Sequence, residues 1–202
     1  MDYPEFFDEA PRITMFDPLA EFLGAAEGGI FEYRYIDAVK LAGHSCPTVA
    51  AAWLMTLRAL EALYPGQVPE RGAIRAAFRN GAASGVTGVI ANVVALITGA
   101  TQDAGFKGLA GRFDRRNLLC FDAEVDGEIR FARRDGGAAV AVTAQLGRVP
   151  GAPQTRALMA ACLEGRASEA ERREFARLWQ ARVRAILIEH AGDPQLIVVR
   201  PA

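Results

Sequence analysis

A proline within the stretch Gly43-His44-Ser45-Cys46-Pro47-Thr48 fixes the start of the longest helix that this chain predicts. Proline is favoured at the first position of a helix, where its missing N–H group costs nothing. An apolar run follows from Val49 to Tyr64, and its side chains recur at intervals of three and four residues, which is typical of a helix with a buried face. The pattern therefore predicts a core helix from Pro47 to about Tyr64, with Cys46 at its N-cap.

His44 and Cys46 bring an imidazole and a thiol to the start of this helix. The first N–H groups of a helix have no internal partner, and the helix dipole places partial positive charge there. A thiolate at such a position is stabilised and can be a metal ligand or a nucleophile. The same pattern also fits a buried cysteine that acts as a small apolar residue, beside a loop histidine bonded to the backbone. The residues alone leave both interpretations open.

Composition and charge exclude several classes of protein. The chain has 202 residues, of which 51% are hydrophobic, so it can bury a sizeable core as one domain, or as one domain with an appendage. The formal net charge of −1 gives no global attraction to nucleic acid. Three cysteines, and an acidic N-terminus without the features of a signal peptide, lead us to expect a cytoplasmic protein.

The segment from Asn80 to Gln102 contains no charged residue and is long enough to cross a bilayer. It also contains several glycines and polar residues, and it lacks an aromatic belt. We therefore expect a second buried helix from about Gly85 to Thr98, and no membrane partner.

The remaining segments predict an α+β protein with an antiparallel sheet packed by two core helices. Residues 1–35 form an N-terminal appendage, with a short helix capped by Asp17 and a strand from Ile30 to Tyr35. Residues 150–202 form a C-terminal helical extension, in which Ser168 and Glu171 make a capping box. The predicted strands between them cover residues 73–79, 109–113, 118–125, 128–133 and 138–146.

The motif Gly43-His44-x-Cys46-Pro47 at the start of an apolar helix resembles the signature of the FmdE-like family, which is named after a component of formylmethanofuran dehydrogenase. The resemblance covers about half of the chain, from Ile36 to Arg134. It implies an FmdE-like α+β domain over residues 36–149, and a metal-binding role linked to one-carbon or molybdenum/tungsten metabolism. At three other positions where the family carries polar residues, this chain has different ones, namely Val89, Asn92 and Ala100.

These observations lead to a predicted metal site formed by His44, Cys46 and Cys120. Mixed imidazole and thiolate ligands suit zinc or another transition metal. Cys120 lies in an apolar predicted strand, where a plain core cysteine is the alternative. Two other functions stay open: an enzyme with Cys46 as nucleophile and His44 as base, and a haem protein that uses the Cys46-Pro47 pair. A small-molecule ligand and a homodimer are also left open by the sequence.

Overall fold

The structure is a computed structural model that describes residues 3–202. Met1 and Asp2, part of the acidic N-terminus from which we expected no signal peptide, lie outside the described residues. The helices are α1 (Phe6–Glu9), α2 (Pro18–Leu23), α3 (Tyr35–Ala42), α4 (Pro47–Leu63), α5 (Thr87–Thr98), α6 (Thr155–Leu163) and α7 (Glu169–Arg184). The strands are β1 (Ile13–Phe16), β2 (Ile30–Tyr33), β3 (Ile74–Phe78), β4 (Leu119–Cys120), β5 (Ile129–Arg133), β6 (Ala139–Ala144) and β7 (Ile197–Pro201).

The main sheet has five strands in the order β4-β3-β5-β6-β7. Four of them pair in antiparallel fashion, whereas β4 runs parallel to β3, so the sheet is mixed. The α+β class is therefore confirmed, with a parallel edge that the sequence did not predict.

The predicted strand at residues 109–113 is wrong. This stretch makes only a single bridge, between Leu109 and Arg112. Ala110 and Phe113 have positive φ angles of 47° and 65°, which break an extended backbone. The strand predicted for residues 118–125 shortens to two residues because the chain turns at Asp122, whose φ is 54°.

The helices α4 and α5 pack against each other and cover the main sheet. The first contacts β6 and β7, and the second contacts β3. Trp53 of α4 and Val93 of α5 are fully buried and Leu57 of α4 is 8% exposed, which confirms that both helices belong to the core. The indole Nε1 of Trp53 donates to the carbonyl oxygen of Pro11 at 2.8 Å, so a residue near the N-terminus satisfies this buried donor.

Residues 3–35 contribute to the same core. Strands β1 and β2 form a two-stranded antiparallel sheet. Phe7, Ile13 and Met15 are buried together with α4. The backbone of Phe16 exchanges hydrogen bonds with the loop before β3, at Pro69 and Arg71. This pairing ties the N-terminal sheet to the start of the main one.

The C-terminal segment, residues 150–202, forms α6 and α7. It also supplies β7, the last strand of the main sheet. The predicted capping box at the start of α7 is confirmed, since the Ser168 hydroxyl accepts from the Glu171 N–H. A wider helical turn from Ala185 to Glu189 continues α7 before β7 pairs with β6. Within residues 3–202, every helix is too short or too polar to span a bilayer.

Candidate functional site at the start of helix α4

Cys46 is the N-cap residue of α4, as the sequence predicted. Its backbone is extended, with φ −149° and ψ 168°, because Pro47 disfavours the helical region for the residue before it. The Cys46 Sγ accepts a hydrogen bond from the Val49 N–H at 3.5 Å, and the residue is 9% exposed. The sulfur therefore occupies the place of a capping oxygen, next to the free donors of the helix.

His44 is exposed on the short connection between α3 and α4. Its Nδ1 lies 2.9 Å from the carbonyl oxygen of Ala42. Because a carbonyl oxygen only accepts, Nδ1 carries the proton of the neutral ring. The lone pair of the neutral ring is then on Nε2. A hydrogen bond from the second ring nitrogen to a backbone carbonyl is what metal-ligating histidines commonly make.

Ser45 is held from two sides. Its carbonyl oxygen accepts hydrogen bonds from Trp179 Nε1 at 3.0 Å and from Gln180 Nε2 at 3.1 Å. Its hydroxyl lies 3.1 Å from the hydroxyl of Tyr35. The residue between His44 and Cys46 is thus fixed by α7 and by the first residue of α3.

The sequence reasoning did not find Tyr35, Trp179 and Gln180 as neighbours of the motif. Burial raises the pKa of Tyr35; its hydrogen bond with Ser45 opposes this rise, and the negative charge of a Cys46 thiolate adds to it. The phenol stays protonated and is available as a donor to the Ser45 hydroxyl. No local pattern at residues 179 and 180 marks them as partners of residue 45, because α7 lies more than a hundred residues away along the chain.

Cys120 lies in β4 at the edge of the main sheet, opposite Ala77 of β3, and it is exposed. The alternative interpretation of Cys120 as a core residue is therefore wrong, since its side chain lies on the exposed face of β4, opposite the face that carries the buried Leu119. Cys46, Cys120 and Cys162 are all free thiols. His190 lies at the C-terminal end of the turn after α7, with Nδ1 3.8 Å from Asp193 Oδ2.

Within residues 3–202, no three or more His, Cys, Asp and Glu side chains are grouped so that they could hold a metal ion. His44, Cys46 and Cys120 do not form such a group, and a closed four-ligand site does not fit this part of the chain. An imidazole and a thiolate are two of the four ligands that a closed tetrahedral site needs. Metal binding by this pair stays a prediction.

A second cluster of charges, which we name the Asp17 cluster, consists of Asp17, Arg71 and Arg115. Asp17 Oδ1 accepts from Arg115 Nη2 at 2.7 Å, and Oδ2 accepts from Arg71 Nη1 at 3.0 Å. Asp17 and Arg115 are 3% and 5% exposed. The sequence predicted only the N-cap role of Asp17, which the N–H groups of Leu19 and Ala20 confirm.

Burial raises the pKa of Asp17, but four favourable contacts outweigh this effect and lower the pKa below its ordinary value of 3.8. They are the Arg71 hydrogen bond, the charge of Arg115, and the two capping N–H groups. Asp17 is therefore a buried carboxylate. It connects α2, the loop before β3 and the loop between α5 and β4.

Comparison with known proteins does not assign this chain to a family. No protein-family model matches it, and a search of curated proteins finds no significant match.

Proposed function

We propose that this protein binds zinc or another transition-metal ion through His44 and Cys46 at the start of α4. The observation that carries the proposal is the hydrogen bond from His44 Nδ1 to the Ala42 carbonyl, which directs the lone pair of the neutral ring to Nε2. The same arrangement orients the rings of metal-ligating histidines. The resemblance of the motif to the FmdE-like family agrees with this role.

The Cys46 sulfur is the second proposed ligand. The Val49 N–H donates to the sulfur, and α4 is 17 residues long, so its dipole is well developed. A thiolate, unlike a thiol, is the form that binds metal. The contacts of Ser45 with Trp179 and Gln180 restrict the backbone between the two donors, so less conformational entropy is lost when both reach one ion.

Two ligands leave coordination positions for water, a substrate or a group on another molecule. A metal with open positions acts as a Lewis acid and lowers the pKa of bound water. Within this proposal the chain orients the imidazole through Ala42 and holds the sulfur against Val49. A small molecule with a carbonyl or carboxylate oxygen would complete the site. The link to one-carbon metabolism belongs to the same proposal.

The test is a zinc titration of metal-free protein, followed by competition with a chromophoric chelator. His44→Ala and Cys46→Ser should each abolish most of the binding. Cys46→Ser is well suited, because serine is a favoured N-cap residue and keeps α4 capped while it removes the thiolate. The matched controls are His190→Ala and Cys162→Ser, which remove the other histidine and a cysteine on α6. Both controls should bind zinc like the wild type.

Cys120→Ser distinguishes two forms of the site. Loss of zinc would make Cys120 a ligand supplied through a rearrangement or a second copy of the chain. Unchanged binding would leave solvent or a small molecule in the open positions. Full zinc binding by both His44→Ala and Cys46→Ser would refute the proposal. A haem absorbance band in the purified protein would show that the bound group is haem rather than zinc.

The Val49 contact also favours a second candidate function, in which Cys46 is a nucleophile. A thiolate stabilised at a helix start is the reactive form, and His44 Nε2 could accept a proton. Rapid alkylation of Cys46 by iodoacetamide at neutral pH in metal-free protein, with slow alkylation of Cys162, would support this alternative. Equal rates for the two cysteines would exclude an activated Cys46.

A further inference from the structure

A cavity of about 290 Å³ opens beside the Asp17 cluster. Four arginines and two carboxylates contribute to its walls. They are Arg71, Arg112, Arg115, Arg134, Glu70 and Asp114. The volume is close to the lower limit of about 300 Å³ for small-molecule sites. The walls therefore combine a small space with an excess of positive charge.

Arg115 is the most buried of these arginines and has unused donors. Its Nη2 is paired with Asp17, whereas its Nε and Nη1 have no hydrogen-bond partner within residues 3–202. Arg71 Nε is likewise buried without a partner in this part of the chain. Buried N–H groups without an acceptor are costly, and most proteins satisfy them. These donors therefore call for an acceptor that the described chain does not supply.

The nearby carboxylates are largely occupied. Both oxygens of Asp17 accept from Arg71 and Arg115. Asp114 accepts from Arg116 at 2.8 Å and 3.1 Å, and this pairing lowers the pKa of Asp114 to about 2. Glu70 is the lining acid that forms no ion pair among residues 3–202.

Two arginines at the rim are not paired with an acid. Within residues 3–202, Arg112 and Arg134 form no ion pair. The Arg112 guanidinium lies over the Phe113 ring, 4.7 Å from its centre. Arg134 Nη1 donates to the carbonyl oxygen of Gly72 at 2.9 Å. Both side chains are thus held at the cavity, and their remaining N–H groups can contact a ligand.

We propose that this cavity binds the phosphate group of a small molecule. Guanidinium groups bind oxyanions through paired, charge-assisted hydrogen bonds. A phosphate offers oxygens in several directions, which suits donors that come from the loop before β3, from the loop between α5 and β4, and from the end of β5. Arg115 forms the base of the site, and Arg112 and Arg134 close its rim.

The test is calorimetric titration with inorganic phosphate at constant ionic strength, with sodium acetate as the carboxylate probe. We expect saturable one-to-one binding of phosphate and much weaker binding of acetate. Arg112→Gln and Arg134→Gln should each weaken phosphate binding about tenfold, the usual effect of losing one charged hydrogen bond. Arg75→Gln removes an exposed arginine of β3 outside the cavity and should leave the affinity unchanged.

The rim variants change exposed side chains, so they should keep the far-UV circular dichroism of the wild type. Non-saturable binding of phosphate to the wild type would overturn the proposal. Equal weakening by Arg75→Gln would reduce the effect to general charge attraction and would overturn it as well. Acetate binding as strong as phosphate binding would reject phosphate as the ligand class.

Discussion

The indole Nε1 of Trp179 donates a hydrogen bond to the carbonyl oxygen of Ser45, over a distance of 3.0 Å. Gln180 Nε2 donates to the same oxygen at 3.1 Å. A helix near the end of the chain therefore fixes the backbone between His44 and Cys46. The proposed metal site depends on this contact, although neither donor is a ligand.

A double-mutant cycle on these two donors tests their shared role. Trp179→Phe and Gln180→Leu should each cost up to about 1 kcal/mol of unfolding free energy, because the other donor still satisfies the carbonyl. The double variant should lose more than the sum, by at least about 0.5 kcal/mol, because the Ser45 carbonyl then has no donor from α7. Urea unfolding of the four proteins measures this coupling. Additive losses would mean that the two bonds act independently.

The Asp17 cluster gives a second prediction. Asp17→Asn should cost about 3–5 kcal/mol, since it removes one partner of a buried ion pair and leaves Arg115 without its counter-charge. Asparagine is an equally good N-cap residue, so the capping of α2 is kept and only the charge is lost. The control is Asp135→Asn, which removes an exposed partner of Arg133 and should change stability very little. Equal losses for both would contradict a special role of the buried pair.

The same residue predicts how stability depends on pH. The pKa of Asp17 is lowered in the folded protein, because the contacts with Arg71, Arg115 and the capping N–H groups outweigh its burial. The stability that Asp17 contributes to the fold is therefore present at pH values above its ordinary pKa of 3.8. It is lost as the pH falls through the lower folded-state pKa. The stability gap between wild type and Asp17→Asn should narrow in that acid range. A gap that stays constant down to about pH 2 would contradict the assignment.

The sequence predicted those elements that depend on local signals. Pro47 and the apolar stripe fixed the start and the buried face of α4, and the Ser168 capping box fixed the start of α7. The strand predicted at residues 109–113 does not form, because Ala110 and Phe113 adopt positive φ angles in a loop whose Arg115 is bonded to Asp17. Partners far apart in the chain decide such conformations, and local periodicity does not contain them.

The same limit applies to the candidate site. His44 and Cys46 stand in one short motif, so the sequence could predict that they lie at a helix start. The contacts from Trp179 and Gln180 arise from the packing of α7 on α4, and Cys120 is exposed because it lies on the outer face of β4 at the edge of the sheet. Neither fact follows from the residues next to them.

Glu128 predicts a dependence of stability on pH that is opposite to that of Asp17. Burial raises the pKa of this carboxyl group, and the Ala144 N–H and the charge of Arg79 offset only part of the effect. A raised folded-state pKa contributes stability at pH values below the ordinary pKa of 4.5. This contribution is lost as the pH rises through the folded-state pKa. Glu128→Gln should therefore raise the melting temperature at neutral pH and have little effect at acid pH. Calorimetry at both pH values, with Glu124→Gln as an exposed control, measures the difference. A lower melting temperature at neutral pH would contradict it.

Gly72 tests how closely Arg115 is packed. A Cβ at this position would lie 1.7 Å from Arg115 Nη1, and the φ angle is 87°. Gly111 has a similar φ of 78° but open space around it, so Gly111→Ala measures the backbone cost alone, about 1 kcal/mol. Gly72→Ala should cost at least about 2 kcal/mol more, because Arg115 has to leave Asp17. Equal losses in chemical denaturation would show that Arg115 moves aside freely.

The most direct test of the central claim is the absorption spectrum of the protein titrated with cobalt(II), which replaces zinc and reports thiolate ligation by a near-ultraviolet charge-transfer band. We predict that the wild type and Cys162→Ser develop this band, that Cys46→Ser does not, and that His44→Ala binds cobalt much more weakly. A band of full intensity in Cys46→Ser, with unchanged affinity in His44→Ala, would contradict the assignment of His44 and Cys46 as the metal ligands.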